Sequence, residues 1–177
     1  MTTALLVIDV QHALCTGQWA MSDIDAVVDR INGVSQLFRA AGAPVILIQH
    51  EEQAPRMIHG SAGWQLYERL ETGPEDVRVR KATPDSFHNT DLQGVLEARQ
   101  VDRLVVCGLQ SEFCIDSTLR GALARGYPVT LLADAHATMD NGALSAAQIV
   151  AHENVTLGNM GSFGPRVTVV AAATVRL

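Results

Sequence analysis

The sequence predicts a three-layer α/β/α sandwich built on a mainly parallel six-stranded sheet, and three observations predict it. Short, continuously apolar runs alternate along the chain with segments whose apolar residues recur at helical spacing. The apolar runs show little polar alternation, as expected of strands buried on both faces. The 177 residues amount to about one domain, with no repeat, low-complexity tract or Gly/Ser linker, so 1–177 is read as a single domain. Strand–helix–strand crossovers are right-handed, and a doubly wound sheet of order 3-2-1-4-5-6 carries helices on both faces.

Ala4–Asp9 (ALLVID) is the first such run and reads as a buried strand. From Asp23 to Ala41, apolar residues at Ile24, Val27, Val28, Ile31, Val34, Leu37 and Phe38 fall on one helical face. Gly42 stops that helix and Pro44 opens the next strand, Val45–Gln49. Val77–Lys81 alternates apolar and basic residues, as a strand near a sheet edge does. Leu92–Ala98 is a short helix and Arg103–Cys107 (RLVVC) another buried strand. Ser111 to Arg125 is helical and closed by Gly126; Val129–Ala133, Leu144–Asn154 and Val167–Ala171 complete the alternation as strand, helix and strand.

Composition excludes several classes. Thirteen basic against nineteen acidic residues give a formal charge of −6, without the basic stripe of a nucleic-acid protein. Charged residues make up 18% and hydrophobic residues 47%, enough apolar material for a sizeable core and too much for disorder. No apolar segment approaches the roughly 20 residues of a membrane span, and the apolar start ends at Asp9 without a basic leader, so it reads as a strand rather than a signal peptide. Three cysteines, Cys15, Cys107 and Cys114, do not describe a disulfide framework. A reducing cytoplasm is expected.

In an open α/β sheet, ligands bind beyond the carboxyl ends of the strands. Those ends carry Asp9 with Gln11, then His50-Glu51-Glu52, then Lys81, then Cys107-Gly108-Leu109-Gln110 leading into Ser111-Glu112-Phe113-Cys114, then Asp134-Ala135-His136. With Ser111 as N-cap, Cys114 falls in the first helical turn, where the helix N-terminus and a nearby Lys81 would favour a thiolate. A nearby Asp9 would oppose that shift and could take the thiol proton instead. The blander alternative for Cys114 is a buried, inert cysteine. Cys107 closes an apolar strand and reads as core, and Cys15 has no assigned role. Lys81 sits two strands from Asp9, about 10 Å away, so the loop after it must carry it inward. Trp19, Trp64, Phe87 and Phe113 are candidates to line a pocket with Gln11, His50 and His136, although Trp64 could equally pack a short helix. His136 and Thr138 are also placed to support the rim. His152, on a helix, reads as structural.

Several stretches together resemble the isochorismatase-like cysteine hydrolase superfamily, which includes nicotinamidases and N-carbamoylsarcosine amidohydrolases. They are Ala4-Leu5-Leu6-Val7-Ile8-Asp9-Val10-Gln11, Arg80-Lys81-Ala82 with Ser86-Phe87, and the run from Val106 to Thr118 through Gly108 and Cys114. Ala133 to Thr138 and the helix through Ile149, His152 and Asn154 extend the match to about residue 157. The resemblance implies a catalytic triad of Asp9, Lys81 and Cys114 and a cis peptide between Leu109 and Gln110. It also implies an oxyanion hole made by the backbone N–H groups of Gln110 and Cys114. It implies hydrolysis of a small-molecule amide, carbamoyl or ureido C–N bond through an acyl-thioester, with no cofactor, by a homo-oligomer, a dimer or tetramer. Nicotinamidases carry an Asp-x-His metal pair after strand two. Here the stretch reads His50-Glu51-Glu52 with His59 later, three possible ligand types in a different pattern, so no metal is expected.

Other readings fare less well. Strand one is not followed by Gly-x-Gly-x-x-Gly, and the late Gly158–Gly164 cluster has the wrong spacing, which argues against a dinucleotide enzyme. Cys107 and Cys114 do not form the Cys-x-x-Cys of a thiol redox protein. A binding protein that keeps the fold without catalysis remains the alternative.

Overall fold

Six strands, β1 (Thr2–Ile8), β2 (Val45–His50), β3 (Val77–Lys81), β4 (Val101–Leu109), β5 (Val129–Ala137) and β6 (Val167–Val170), form one sheet in the computed structural model, which describes residues 1–177. Every pairing is parallel and the order is β3-β2-β1-β4-β5-β6, the order expected from sequence. The helices are α1 (His12–Cys15), α2 (Ile24–Ala40), α3 (Leu92–Ala98), α4 (Asp116–Ala124) and α5 (Ala146–Gly158), and a π-helical turn, Ser111–Ile115, precedes α4. None of them is long and apolar enough to cross a membrane.

The strand pleat sorts the core into two layers. On one face, Leu5 and Val7 of β1 pack with Val28, Ile31 and Phe38 of α2. On the other, Ala4, Leu6 and Ile8 pack with Leu92 and Leu96 of α3, Leu119 and Leu123 of α4 and Leu157 of α5. Burying both faces is why β1 carries no polar alternation. Cys107 lies in the first layer, fully buried, as its position at an apolar strand end predicts.

The strand order puts the carboxyl ends of β1 and β4 side by side at the switch point. Ile8 pairs with Gly108 and, on its other side, with Ile48. Gly108 has φ +117°, and a Cβ there would collide with the Ile8 backbone. Only glycine lets the two chain segments approach this closely before β4 gives way to the turn that carries Cys114.

Candidate active site

Asp9 is the first residue past β1 and adopts φ +54°, a left-handed conformation that aspartate tolerates better than most residues. Its N–H donates to the Ile48 carbonyl at 2.9 Å. The carboxylate is 1% exposed and meets the Lys81 ammonium at 2.7 Å, itself fully buried. Lys81 has not been carried inward by the loop after β3, as the strand spacing suggested. It is the last residue of β3, paired with His50, and its own four-carbon stem reaches across the end of β2. Its ammonium also donates to the Thr83 carbonyl at 3.1 Å. Burial is the largest single influence on Lys81 and opposes its charge, but the Asp9 carboxylate and Cys114 acting together turn the net shift upward.

The Leu109–Gln110 peptide is cis. The turn that follows is π-helical, with the Ile115 N–H donating to Gln110 O at 3.1 Å and the Phe113 N–H sharing the same acceptor at 3.2 Å. This turn brings partly buried Cys114 against Asp9 and Lys81, so the three residues singled out from sequence meet. Both charged groups act on the thiol, yet it makes no fully formed hydrogen bond, and Asp9 Oδ1 is left buried without a partner. Burial first, and the Asp9 carboxylate second, push the thiol up to about 12 against the pull of Lys81. Burial and the Asp9 carboxylate thus oppose the thiolate that a place in a first helical turn would favour, and deprotonation calls for a base beside the sulfur.

Ser111 is not the N-cap. Its hydroxyl lies 2.8 Å from His136 Nδ1, and both residues are buried. His136 Nε2 lies 3.1 Å from Asn154 Oδ1, so both ring nitrogens are engaged in the scaffold. His136 does line a cavity, with Ala133, Thr138 and Asn154, but none of Asp9, Lys81 and Cys114 lines it. Burial pushes this imidazole below the usual histidine range. Thr138 supports the same turn, its hydroxyl donating to Glu112 Oε1 at 2.9 Å. Asn154 and Glu112 lie in stretches that carry the resemblance, but nothing in the sequence gave either a role, because their partners are distant along the chain.

Gln11 is also a scaffold residue. Its amide donates to the carbonyls of His50 (2.9 Å) and Trp64 (2.8 Å) and accepts from the His50 N–H (2.8 Å), which uses both of its donors on backbone. Gln49 holds the same Trp64 carbonyl at 3.0 Å. Trp64 is thus clamped beside the ends of β1 and β2, with His59 edge-on at 4.6 Å. His50 lines a groove of about 660 Å³ beside Lys81, together with Glu51, Glu52, Ile58, His59 and Ala82. Burial and then Lys81 push His50 below its usual range, so it is a neutral imidazole at pH 7. His50 Nε2 is 3.9 Å from Glu52, and no group of three or more His, Cys, Asp or Glu side chains is arranged to hold a metal ion. Phe87 belongs to the core instead of the pocket: it is 5% exposed, stacks on Tyr127 at 6.2 Å and lies under Arg125. Phe113 and Trp19 are about half exposed, Phe113 next to Cys114 and Trp19 beneath the Arg56 guanidinium. His152 sits on the outer face of α5, near the Thr156 hydroxyl.

Glu153 of α5 is buried near the Cys114 turn with its Oε2 unpartnered. Burial first and Asp116 second push its carboxyl above the ordinary 4.5. A raised carboxyl stabilises the fold below its unfolded pKa, and that contribution is lost as pH rises through the folded value. Glu153→Gln is therefore expected to raise the thermal midpoint at neutral pH by roughly 2 to 4 °C. The gain should vanish at about pH 4, where Glu153 is itself protonated; thermal melts at the two pH values check the sign.

A family model described as the isochorismatase domain matches residues 3–157. A streptothricin hydrolase of Streptomyces noursei is 42% identical over 139 residues, covering 77% of this chain and 50% of that protein. The chain spans about half the length of the streptothricin hydrolases it matches. A ureidoacrylate amidohydrolase of Caulobacter segnis is 28% identical over 171 residues, covering 76% of this chain and 72% of that protein. A solved structure of a cysteine hydrolase from Pseudomonas syringae pv. phaseolicola superposes with a TM-score of 0.86 at 29% identity, covering 97% of this chain and 89% of that one.

Proposed function

The chain belongs to the isochorismatase family of hydrolases, and from that premise we propose that it is a cysteine hydrolase of small C–N bonds, acting on an amide, carbamoyl or ureido compound through an acyl-thioester on Cys114. The observation that carries this reading is the buried Asp9–Lys81 pair set against the Cys114 thiol. Ion pairs buried this deeply are costly to desolvate and are weak devices for stability alone. A reactive role for the pair explains why the fold keeps it.

The resting thiol needs a base, and Asp9 supplies it. As a carbonyl carbon approaches, the S–H proton passes to Asp9 and the sulfur lone pair forms the C–S bond. The carbonyl π electrons move onto oxygen, where the N–H groups of Gln110 and Cys114 receive the negative charge. The Gln110 N–H has no hydrogen-bond partner within the protein, which supports its assignment to this task. Collapse of the adduct breaks the C–N bond, and the amine leaves with the proton from Asp9. Water then gives a proton to Asp9 and adds to the thioester; the C–S bond breaks, the thiol regains its proton and the acid departs. Lys81 remains charged throughout and holds the Asp9 carboxylate in place.

One relative, named for amidohydrolysis of ureidoacrylate, supports a C–N bond as the target, and another is named as a hydrolase of streptothricin. The test is ammonia or amine release by the purified chain across a panel of small linear amides, cyclic amides and ureas. At least one compound should be turned over by the wild type and not by Cys114→Ala. Turnover of none, or equal turnover by both proteins, would overturn the reading.

A further inference from the structure

The turn that carries Cys114 is held from below by a continuous chain of side chains, and we infer that Ser111 and His136 are positioning residues that set the thiol and its N–H for attack. This rests on the reading of Cys114 as the nucleophile and deepens it.

The chain of hydrogen bonds has one consistent direction. Asn154 Nδ2 donates to the Ala133 carbonyl at 3.0 Å, which fixes the amide so that Oδ1 faces His136. Oδ1 can only accept, so the His136 proton is on Nε2. Nδ1 is then a lone pair, and the Ser111 hydroxyl donates to it at 2.8 Å. Ser111 and His136 are 0% and 2% exposed, so no water competes for either group. Burial disfavours the imidazolium that would reverse the direction.

The Ser111 bond is the one member of this chain that reaches the catalytic turn. The link from α5 to β5 is complete without it, through Asn154 and Ala133. Ser111 stands three residues before Cys114 in a π-helical turn, an uncommon geometry that tends to appear at functional sites. Beyond the shared Gln110 carbonyl, the turn is tied to β5 and the residue just past it by two side-chain bonds, Ser111 to His136 and Glu112 to Thr138. Attack on a carbonyl requires alignment to a fraction of an ångström, and a displacement of about 1 Å costs on the order of a hundredfold in rate.

Iodoacetamide serves as the probe, since its reaction reports the placement of the thiol without the natural substrate. Alkylation needs the thiolate, so Asp9 must take the Cys114 proton here as it does in the proposed attack; Cys114 should then be labelled in the wild-type chain while Cys15 and Cys107, both buried, are spared. Ser111→Ala should slow labelling of Cys114 about tenfold or more while the stranded His136 Nδ1 lowers the thermal midpoint by roughly 5 °C, and Ser111→Thr, which restores a hydroxyl, should recover most of the rate. The two His136 variants separate positioning from packing. The amide of asparagine extends about as far as Nδ1 and can accept from Ser111, whereas that of glutamine extends to Nε2 and can only replace the Asn154 bond. His136→Asn should therefore label faster than His136→Gln. Equal labelling of wild type and Ser111→Ala, or a glutamine variant that matches or exceeds the asparagine one, overturns the inference and leaves Cys114 as the nucleophile. An unlabelled Cys114 in the wild type overturns the catalytic reading, and this inference with it.

Discussion

Cys114→Ala is expected to reduce hydrolysis by roughly 10⁴-fold or more while leaving the fold intact. Without the sulfur no covalent intermediate forms, and what remains is the small rate that binding and the backbone donors support by themselves. The side chain is only partly buried, so its loss should cost about 1 kcal/mol of stability or less. Amine release and a thermal melt on the same preparation separate the two effects. A variant inactive because it had unfolded would show a collapsed melt; the expected result is an unchanged melt with no turnover.

Lys81→Met carries the largest expected effect on stability. The ammonium is fully buried and faces a carboxylate that is 1% exposed. Removing the cation strands the Asp9 charge in a dry site, which costs about 3–5 kcal/mol. For a chain of this length that lowers the thermal midpoint by roughly 10 °C. Adding Asp9→Asn to Lys81→Met removes the stranded charge and should restore much of the midpoint while activity stays lost. Simple additivity would instead make the double variant worse than either single one. The sign with pH follows from the direction of the Lys81 shift. Its raised pKa adds stability that is fully present below the ordinary value of 10.5 and is lost only as pH rises through the folded value. The pair's contribution through Lys81 should thus be flat between about pH 6 and about pH 9.

Most of the fold was legible because the physics that builds it is local. β1, β2 and β4 announce themselves as unbroken apolar runs, since each is covered on both faces, and α2 by its apolar spacing. The rim residues were legible for a related reason: a doubly wound sheet gathers its strand ends, so Asp9, Lys81 and Cys114 could be nominated from the alternation and the resemblance. What was not legible depends on contacts distant in sequence. Ser111 looks like a cap until His136, twenty-five residues on, takes its hydroxyl. Gln11 looks like a substrate ligand until the backbone of His50 and Trp64 occupies its amide. Phe87 looks like pocket lining until Tyr127 and Arg125 enclose it in the core. The Cys114 thiol looks acidic in one dimension, where the helix start is visible, and becomes a weak acid in three, where the loss of water is visible too.

Covalent capture at Cys114 tests the central claim most directly. Wild-type protein mixed with a substrate found on the amide panel, quenched in acid during turnover and digested, should yield the Cys114 peptide carrying the mass of the acyl or carbamoyl group. Asp9→Asn and Cys114→Ala should yield none, because one lacks the base and the other the sulfur. Turnover that persists in Cys114→Ala, or an acyl mass found on any other residue, would contradict the account.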